Sequence, residues 1–288
     1  MPRSSNFQGA ALMTASMAAF TCNDAFFKLA NDNLPFFQAL FLRSLAVTVL
    51  MLGLAHVQGA LIVRLNGRDR ALVALRTIAE MAAAYFFLTA LVHMPIANVT
   101  AIIQALPLTI TLGAALVLRE PVGWRRLLAI TIGLVGVLII IRPGGAGFNT
   151  YAVYAVLAVV CVTIRDLAAR RISAEVPSLY VAFVAVIGVL ALSAAGCLLT
   201  PWAAVTAREA GLLAGSSAFI LVAYLTSVMA MRVGEVGVVS QFRYTSLLIA
   251  LILGLLVFGE WPDSLTLLGA TIVVATGLFT LWRERHQG

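Results

Sequence analysis

Between residues 9 and 282 the chain is a near-continuous series of apolar stretches, each close to the length a helix needs to cross a bilayer. About 20 residues cover the hydrocarbon core as a helix, and in lipid only segments that satisfy their own backbone hydrogen bonds survive. Ten spans are expected, at 9–30, 35–56, 71–93, 96–118, 124–141, 151–170, 177–199, 209–231, 236–258 and 264–282. With 62% hydrophobic and 11% charged residues, these segments lack the polar faces that a large soluble helical core would turn to water. The fold class this dictates is an all-α integral membrane protein of ten transmembrane helices.

Loop charge orients those helices. The termini and even-numbered connections hold twelve arginines, whereas the odd-numbered connections hold only Arg142 and Arg208. Positive loops stay on the cytoplasmic side, so both termini are expected there, N-in and C-in, in the cell (inner) membrane. The formal charge of +7 is scattered over short loops rather than gathered in a stripe, which excludes a nucleic-acid binder. Cys22, Cys161 and Cys197 fall inside apolar segments without metal-ligand spacing and read as small apolar residues.

The chain is similar to itself. Arg165-Asp166 with Arg170 aligns with Asn23-Asp24 with Lys28 at an offset of 142 residues, and Pro177 aligns with Pro35 at the same offset. Glu260, Leu268 and Thr271 align with Glu120, Leu128 and Thr131 at an offset of 140. The expected halves are 1–146 and 147–288, each of five spans. Five is odd, so the second half enters the membrane from the opposite side. Inverted repeats of this kind build secondary transporters, with the substrate near the midplane between the halves.

Ionisable residues inside spans are costly and mark functional candidates. Five are basic (Lys28, Arg43, Arg76, Arg165, Arg243) and three acidic (Asp24, Glu80, Asp166), which leaves up to two cations unmatched. An anionic or zwitterionic small molecule complements that surplus, because guanidinium recognises carboxylate and phosphate bidentately. Pairing with carbonyls, or snorkelling of Lys28 to the headgroups, is the structural alternative. Arg76 and Glu80 share a helix face at i, i+4, and the second half places Ser216 and Ile220 at the aligned positions. Tyr85, Phe86 and Phe87 follow about one turn on and offer rings for stacking. Gln104 and Pro107 mark the fourth span, where proline frees a carbonyl beside a cavity. Gln241, Arg243 and Tyr244 are the most polar cluster of the ninth. Asp24 and Glu80 are the candidate proton carriers, since desolvation raises a carboxyl pKa toward neutrality. No phosphate-binding loop, metal-ligand motif or nucleophile elbow is present, so neither an enzyme nor a bound cofactor or metal is expected.

The residues Cys22-Asn23-Asp24, Phe41-Leu42-Arg43, Arg76 and Phe242-Arg243-Tyr244 resemble the drug/metabolite transporter superfamily. They are most similar to its EamA-type ten-span members and, within those, to an S-adenosylmethionine-transporter-like subgroup. The chain departs from that subgroup at Leu42, Thr77 and Phe242. The resemblance implies alternating access around a cavity lined by spans one, three, four, six, eight and nine, with Asn23, Asp24, Glu80, Gln104, Asp166 and Tyr244 as lining residues. The expectation is a secondary transporter of a small zwitterionic or anionic metabolite, S-adenosylmethionine-like or an amino acid or carboxylate, with a proton or counter-substrate as coupling partner. An exporter of amino acids or toxic metabolites is the alternative within that class. An integral membrane enzyme or lipid-handling protein is the alternative outside it.

Overall fold

The computed structural model describes residues 3–57, 65–119, 123–144, 148–233 and 239–287. Arg64, Glu120, the start of the ninth expected span and the division at 146/147 lie outside these residues. Ten helices follow one another in the described chain: α1 (Arg3–Ala30), α2 (Phe36–Val57), α3 (Gly67–His93), α4 (Ile96–Leu118), α5 (Trp124–Ile141), α6 (Tyr151–Arg171), α7 (Ser178–Cys197), α8 (Ala207–Val233), α9 (Ser240–Phe258) and α10 (Ser264–Gln287). Among the described residues eight helices are long and apolar enough to cross a membrane, and α10 adds a shorter apolar stretch, Ser264–Thr280.

Local chemistry sets the helix ends. Pro35, Pro95 and Pro177 stand immediately before α2, α4 and α7, where the fixed φ favours a start and the missing N–H costs nothing. Asn66 Oδ1 accepts the Asp69 N–H at 2.7 Å, and Asp263 Oδ1 accepts the Thr266 N–H at 2.8 Å, each capping an otherwise unsatisfied first turn. At the start of α8 the Glu209 carboxylate reaches back to accept the Thr206 N–H at 3.2 Å and its hydroxyl, the acidic half of a capping box. At the other end of α9, Gly259 turns left-handed at φ 63°, and the Glu260 N–H returns to the Gly254 carbonyl at 2.8 Å.

Two helices are broken. The regular hydrogen bonding of α4 lapses at Gln104–Ala105, between Ile96–Ile103 and Leu106–Gly113. Pro107 offers no N–H to the Ile103 carbonyl one turn back, so this is the weakest point of the helix. In α9, Ser240–Tyr244 form a 3₁₀ helix before the regular α-helix resumes at Thr245. The breaks occupy aligned positions of the two halves.

The most extensive helix pairs map onto one another when each helix is exchanged for the one five places later. The extensive pair α1–α8 exchanges with α3–α6, and α1–α9 with α4–α6, while α2–α7, α4–α9 and α5–α10 map onto themselves. Small residues permit the α5–α10 crossing, because a Cβ on Gly269 would lie 2.6 Å from the Gly136 carbonyl oxygen. The core is apolar where α4, α5, α6, α9 and α10 meet, around Leu108, Ile130 and Val273. A second core joins α1, α2, α3, α4 and α9 around Phe27, Leu40 and Ile96.

Candidate functional site

Between α2, α3, α7 and α8 lies a cavity of about 100 Å³, lined by Arg43, Ser44, Arg76, Glu80 and Tyr224 among apolar residues. The helix periodicity of α3 turns Arg76 and Glu80 to the same side, as their spacing requires, and α6 supplies their counterpart. Arg165 Nη1 donates to both Glu80 oxygens at 3.2 Å, and its Nε donates to Asp166 at 2.8 Å. Arg76 stands 3.9 Å from Glu80 and donates to the Val181 carbonyl at 3.3 Å. Glu80 is therefore held chiefly by Arg165, across helices, rather than by its own-helix neighbour Arg76.

Arg43 reaches the same cavity from α2. Its guanidinium packs over the Phe27 ring at 5.3 Å, and its Nη1 is buried with no hydrogen-bond partner among the described residues. A charged donor without an acceptor costs more than a neutral one, so it needs a ligand or another explanation. Asp24 on α1 lies within electrostatic reach of Arg43. Its carboxylate accepts from Asn23 Nδ2 at 2.9 Å, and Asn23 Oδ1 in turn accepts from Ser216 on α8 at 2.8 Å. The two aligned polar pairs thus play different parts. Asn23-Asp24 meets a neutral serine on α8, whereas Arg165-Asp166 meets the carboxylate of Glu80 on α3.

The broken helices meet beside this cluster. Gln104 Nε2, at the α4 break, donates to the Arg243 carbonyl in the 3₁₀ turn of α9 at 3.5 Å. The Arg243 side chain is exposed and lies within electrostatic reach of Asp166 and Arg165. Tyr244 is buried, its hydroxyl pressed on Gly277 of α10 and without a hydrogen-bond partner among the described residues. Gln241 is half-buried in the same turn. Tyr85, next to the cavity-lining Ala84, joins an aromatic cluster: it stacks on Phe37 at 6.2 Å and meets Phe36, Phe86 and Tyr154 edge-on or tilted.

Lys28 departs from the expected choice between snorkelling and function. It is buried and pairs with Glu260 at 3.1 Å, a carboxylate contributed by the α9–α10 connection. That pairing lowers the surplus of intramembrane positive charge. Arg43, Arg76, Arg165 and Arg243 now face Asp24, Glu80 and Asp166, which leaves one net positive charge rather than two. Three residues of this network were not singled out as site residues by the sequence. Ser216 and Glu260 stood in the repeat alignment, but as matched positions only. Tyr224, within electrostatic reach of Glu80, Arg165, Arg76 and Arg43, carried no signal beyond being a polar aromatic inside a span. Among the described residues no group of three or more His, Cys, Asp or Glu is placed to hold a metal ion.

Comparison with known proteins places this arrangement. A structural relative of known crystal structure aligns over 100% of both chains with a TM-score of 0.67 at 20% identity, which shows that the fold is one already observed. The S-adenosylmethionine uptake transporter of Rickettsia prowazekii (strain Madrid E) is 25% identical over 195 residues, 67% of this chain and 65% of that protein's length. The pseudopaline exporter CntI of Pseudomonas aeruginosa (strain UCBPP-PA14) is 26% identical over 277 residues, 91% of this chain and 93% of its own. The riboflavin transporter of Vibrio cholerae serotype O1 is 28% identical over 199 residues, 67% of this chain and 65% of its own. The model of the EamA-like transporter family matches twice, at residues 7–142 and 149–282. The chain is thus a multi-pass membrane protein with two EamA domains, and it belongs to the EamA-like transporter family.

Proposed function

We propose that this protein is a secondary transporter that carries a small zwitterionic or anionic metabolite by alternating access, with a substrate carboxylate bound at Arg43. The observation that carries the reading is the buried, partnerless Nη1 of Arg43 at a cavity. A carboxylate there completes a charge-assisted hydrogen bond that the protein itself leaves unmade. The cluster's single surplus positive charge is neutralised by the same ligand. Asn23, Asp24, Arg76, Glu80, Gln104, Asp166, Gln241, Arg243 and Tyr244 are the remaining candidate lining residues, and Tyr85 stands behind them as an aromatic wall. Residues 1–146 and 147–288 act as inverted five-helix repeats with both termini in the cytoplasm, a reading supported by the exchange symmetry of the helix pairing and by the loop arginines. Helices broken at matching positions of the two halves are the usual marker of a transporter's binding site.

Of the two candidate proton carriers, Asp24 is the stronger. Glu80 is bonded through both oxygens to Arg165, so its carboxylate is committed to the tie between α3 and α6. Among the described residues Asp24 accepts from the neutral Asn23 amide and from no cation at bonding distance, so its carboxylate is not tied up in an ion pair.

The relatives named as S-adenosylmethionine transporters favour that substrate as a second reading. Its sulfonium and amine outnumber its carboxylate, however, and a cation is a poorer match to a cluster that is already positive. Export is the second reading of direction, favoured by the pseudopaline exporter's match over nearly the whole of both chains. Thermal unfolding of detergent-purified protein against amino acids, carboxylates, nucleosides and S-adenosylmethionine tests the site. A carboxylate-bearing ligand at about 100 times its Kd adds about 2.7 kcal/mol to the wild type and nothing to Arg43→Ala. Equal stabilisation of both proteins would place the ligand elsewhere.

A further inference from the structure

On the face of the protein formed by the odd-numbered connections, one ion pair joins three elements. Lys28, in the last turn of α1, is buried there. Its Nζ donates to the Met94 carbonyl in the α3–α4 turn at 2.7 Å and to both oxygens of Glu260, in the α9–α10 connection, at 3.1 and 3.4 Å. The Phe258 ring lies 4.8 Å from the ammonium. Glu260 Oε2 also accepts the Ile96 N–H, the first of α4, at 3.3 Å. The left-handed turn at Gly259 and the bond from the Glu260 N–H to Gly254 aim the carboxylate inward.

We infer that Lys28 and Glu260 form the latch of the gate on this face, closed in this conformation and broken when the cavity opens toward that side. The inference rests on the alternating-access reading above. Other polar contacts on the same face, Gln38 with Ala203, Asn33 with Glu209 and Arg142 with Asp263, each join only two elements. The Lys28–Glu260 pair alone among these ties α1, the start of α4 and the end of α9 to one another across the halves. Those are the helices that carry Asn23-Asp24 and the two breaks, so separating their ends opens a path to the site. Lys28 also lies one helical turn from Asp24, so a shift of α1 that frees the latch moves the site's carboxylate with it. An ion pair suits this use. It holds while both partners are present, and each can be rehydrated when the face opens.

The test reads accessibility rather than transport. In a background with Cys22, Cys161 and Cys197 replaced by alanine, Ala84→Cys reports on the cavity wall to a membrane-impermeant maleimide, in right-side-out and in inverted vesicles. Glu260→Gln and Lys28→Met are expected to speed labelling about tenfold, a shift of about 1.4 kcal/mol in the open population, from the odd-connection face alone. Rates within about twofold of the parent from that face, or an equal gain from both faces, would overturn the latch. A second measurement covers variants that fold poorly. A Lys28→Cys/Glu260→Cys pair bridged by a bifunctional maleimide with a reducible spacer should abolish substrate flux, and a reductant should restore it. Flux that persists with the cross-link formed overturns the latch and leaves the transport reading standing. Absence of flux in the reduced, unmodified protein counts against the transport reading, while the labelling result still judges the latch.

Discussion

Replacing Glu80 by glutamine tests whether the bond between α3 and α6 holds the centre of the bundle. Arg165 Nη1 sits 3.2 Å from both carboxylate oxygens. At that separation the Coulomb attraction is about 5 kcal/mol for an effective dielectric of about 20. Removing one partner of a fully buried pair costs about 3–5 kcal/mol, because the other charge is left uncompensated. Here the penalty is smaller for two reasons. The side chains of Arg165 and Glu80 keep 23% and 19% of their exposure, and Asp166 retains Arg165 Nε at 2.8 Å. A loss of about 2 kcal/mol remains, equivalent to about 5 °C in Tm for a chain of this size. The assay is thermal unfolding in detergent, with exposed Glu175→Gln as the control that should not move. A double-mutant cycle with Arg165→Gln should return a coupling of about 1.5 kcal/mol. A Glu80→Gln protein that melts within about 1 °C of wild type, with no coupling in the cycle, refutes the claim that this pair ties α3 to α6.

Two further outcomes follow from other parts of the fold. Gly269→Ala should lower Tm by several degrees, since a new Cβ would lie 2.6 Å from the Gly136 carbonyl oxygen and 2.7 Å from Ile140, an overpacking worth about 1–3 kcal/mol; Gly211→Ala, with open space around it, should not, and equal effects would show that the crossing is not tight. The Asp263 carboxyl is held below its ordinary range, first by the bond from Arg142 and then by the Thr266 N–H. A depressed carboxyl stabilises the fold above its unfolded pKa of about 3.9 and loses that contribution as pH falls through the lower, folded value. Asp263→Asn is therefore less stable than wild type near neutral pH, and the gap closes in acid; a gap that widens as pH falls would contradict the assignment.

The ten helices were legible because hydrocarbon permits so little else. Apolar length marks eight of them as candidate spans among the described residues, and the proline before α2, α4 and α7 or the capping residue before α3, α8 and α10 fixes where the helix starts. The match at Ile96–Leu118 and Trp124–Ile141 is to the residue. At the termini α1 and α10 run further than hydropathy indicates, because a helix continues into water where apolar length no longer reports on it. The repeat was legible in the Asp24/Asp166 and Pro35/Pro177 offsets, and the helix pairing carries the same symmetry. Partnerships were not legible. Spacing paired Arg76 with Glu80, but a side chain on a facing helix supplied the closer partner, Arg165. Lys28 was unmatched only because its partner, Glu260, lies in a connection and was counted as a loop residue. Tyr224 and Ser216 enter the network through packing of α8 on α1, which no local pattern encodes. Each of these contacts is set by which helix faces which, and that is information of the tertiary fold.

Arg43 at the cavity is the point on which the functional account turns. The direct measurement is substrate counterflow in proteoliposomes, using the carboxylate-bearing ligand that stabilises the purified protein, with wild type, Arg43→Lys and Arg43→Ala compared at equal reconstitution. The account predicts robust counterflow in wild type, at least tenfold less in Arg43→Lys, which keeps the charge without the guanidinium fork, and none in Arg43→Ala. Counterflow in Arg43→Ala equal to wild type would contradict it.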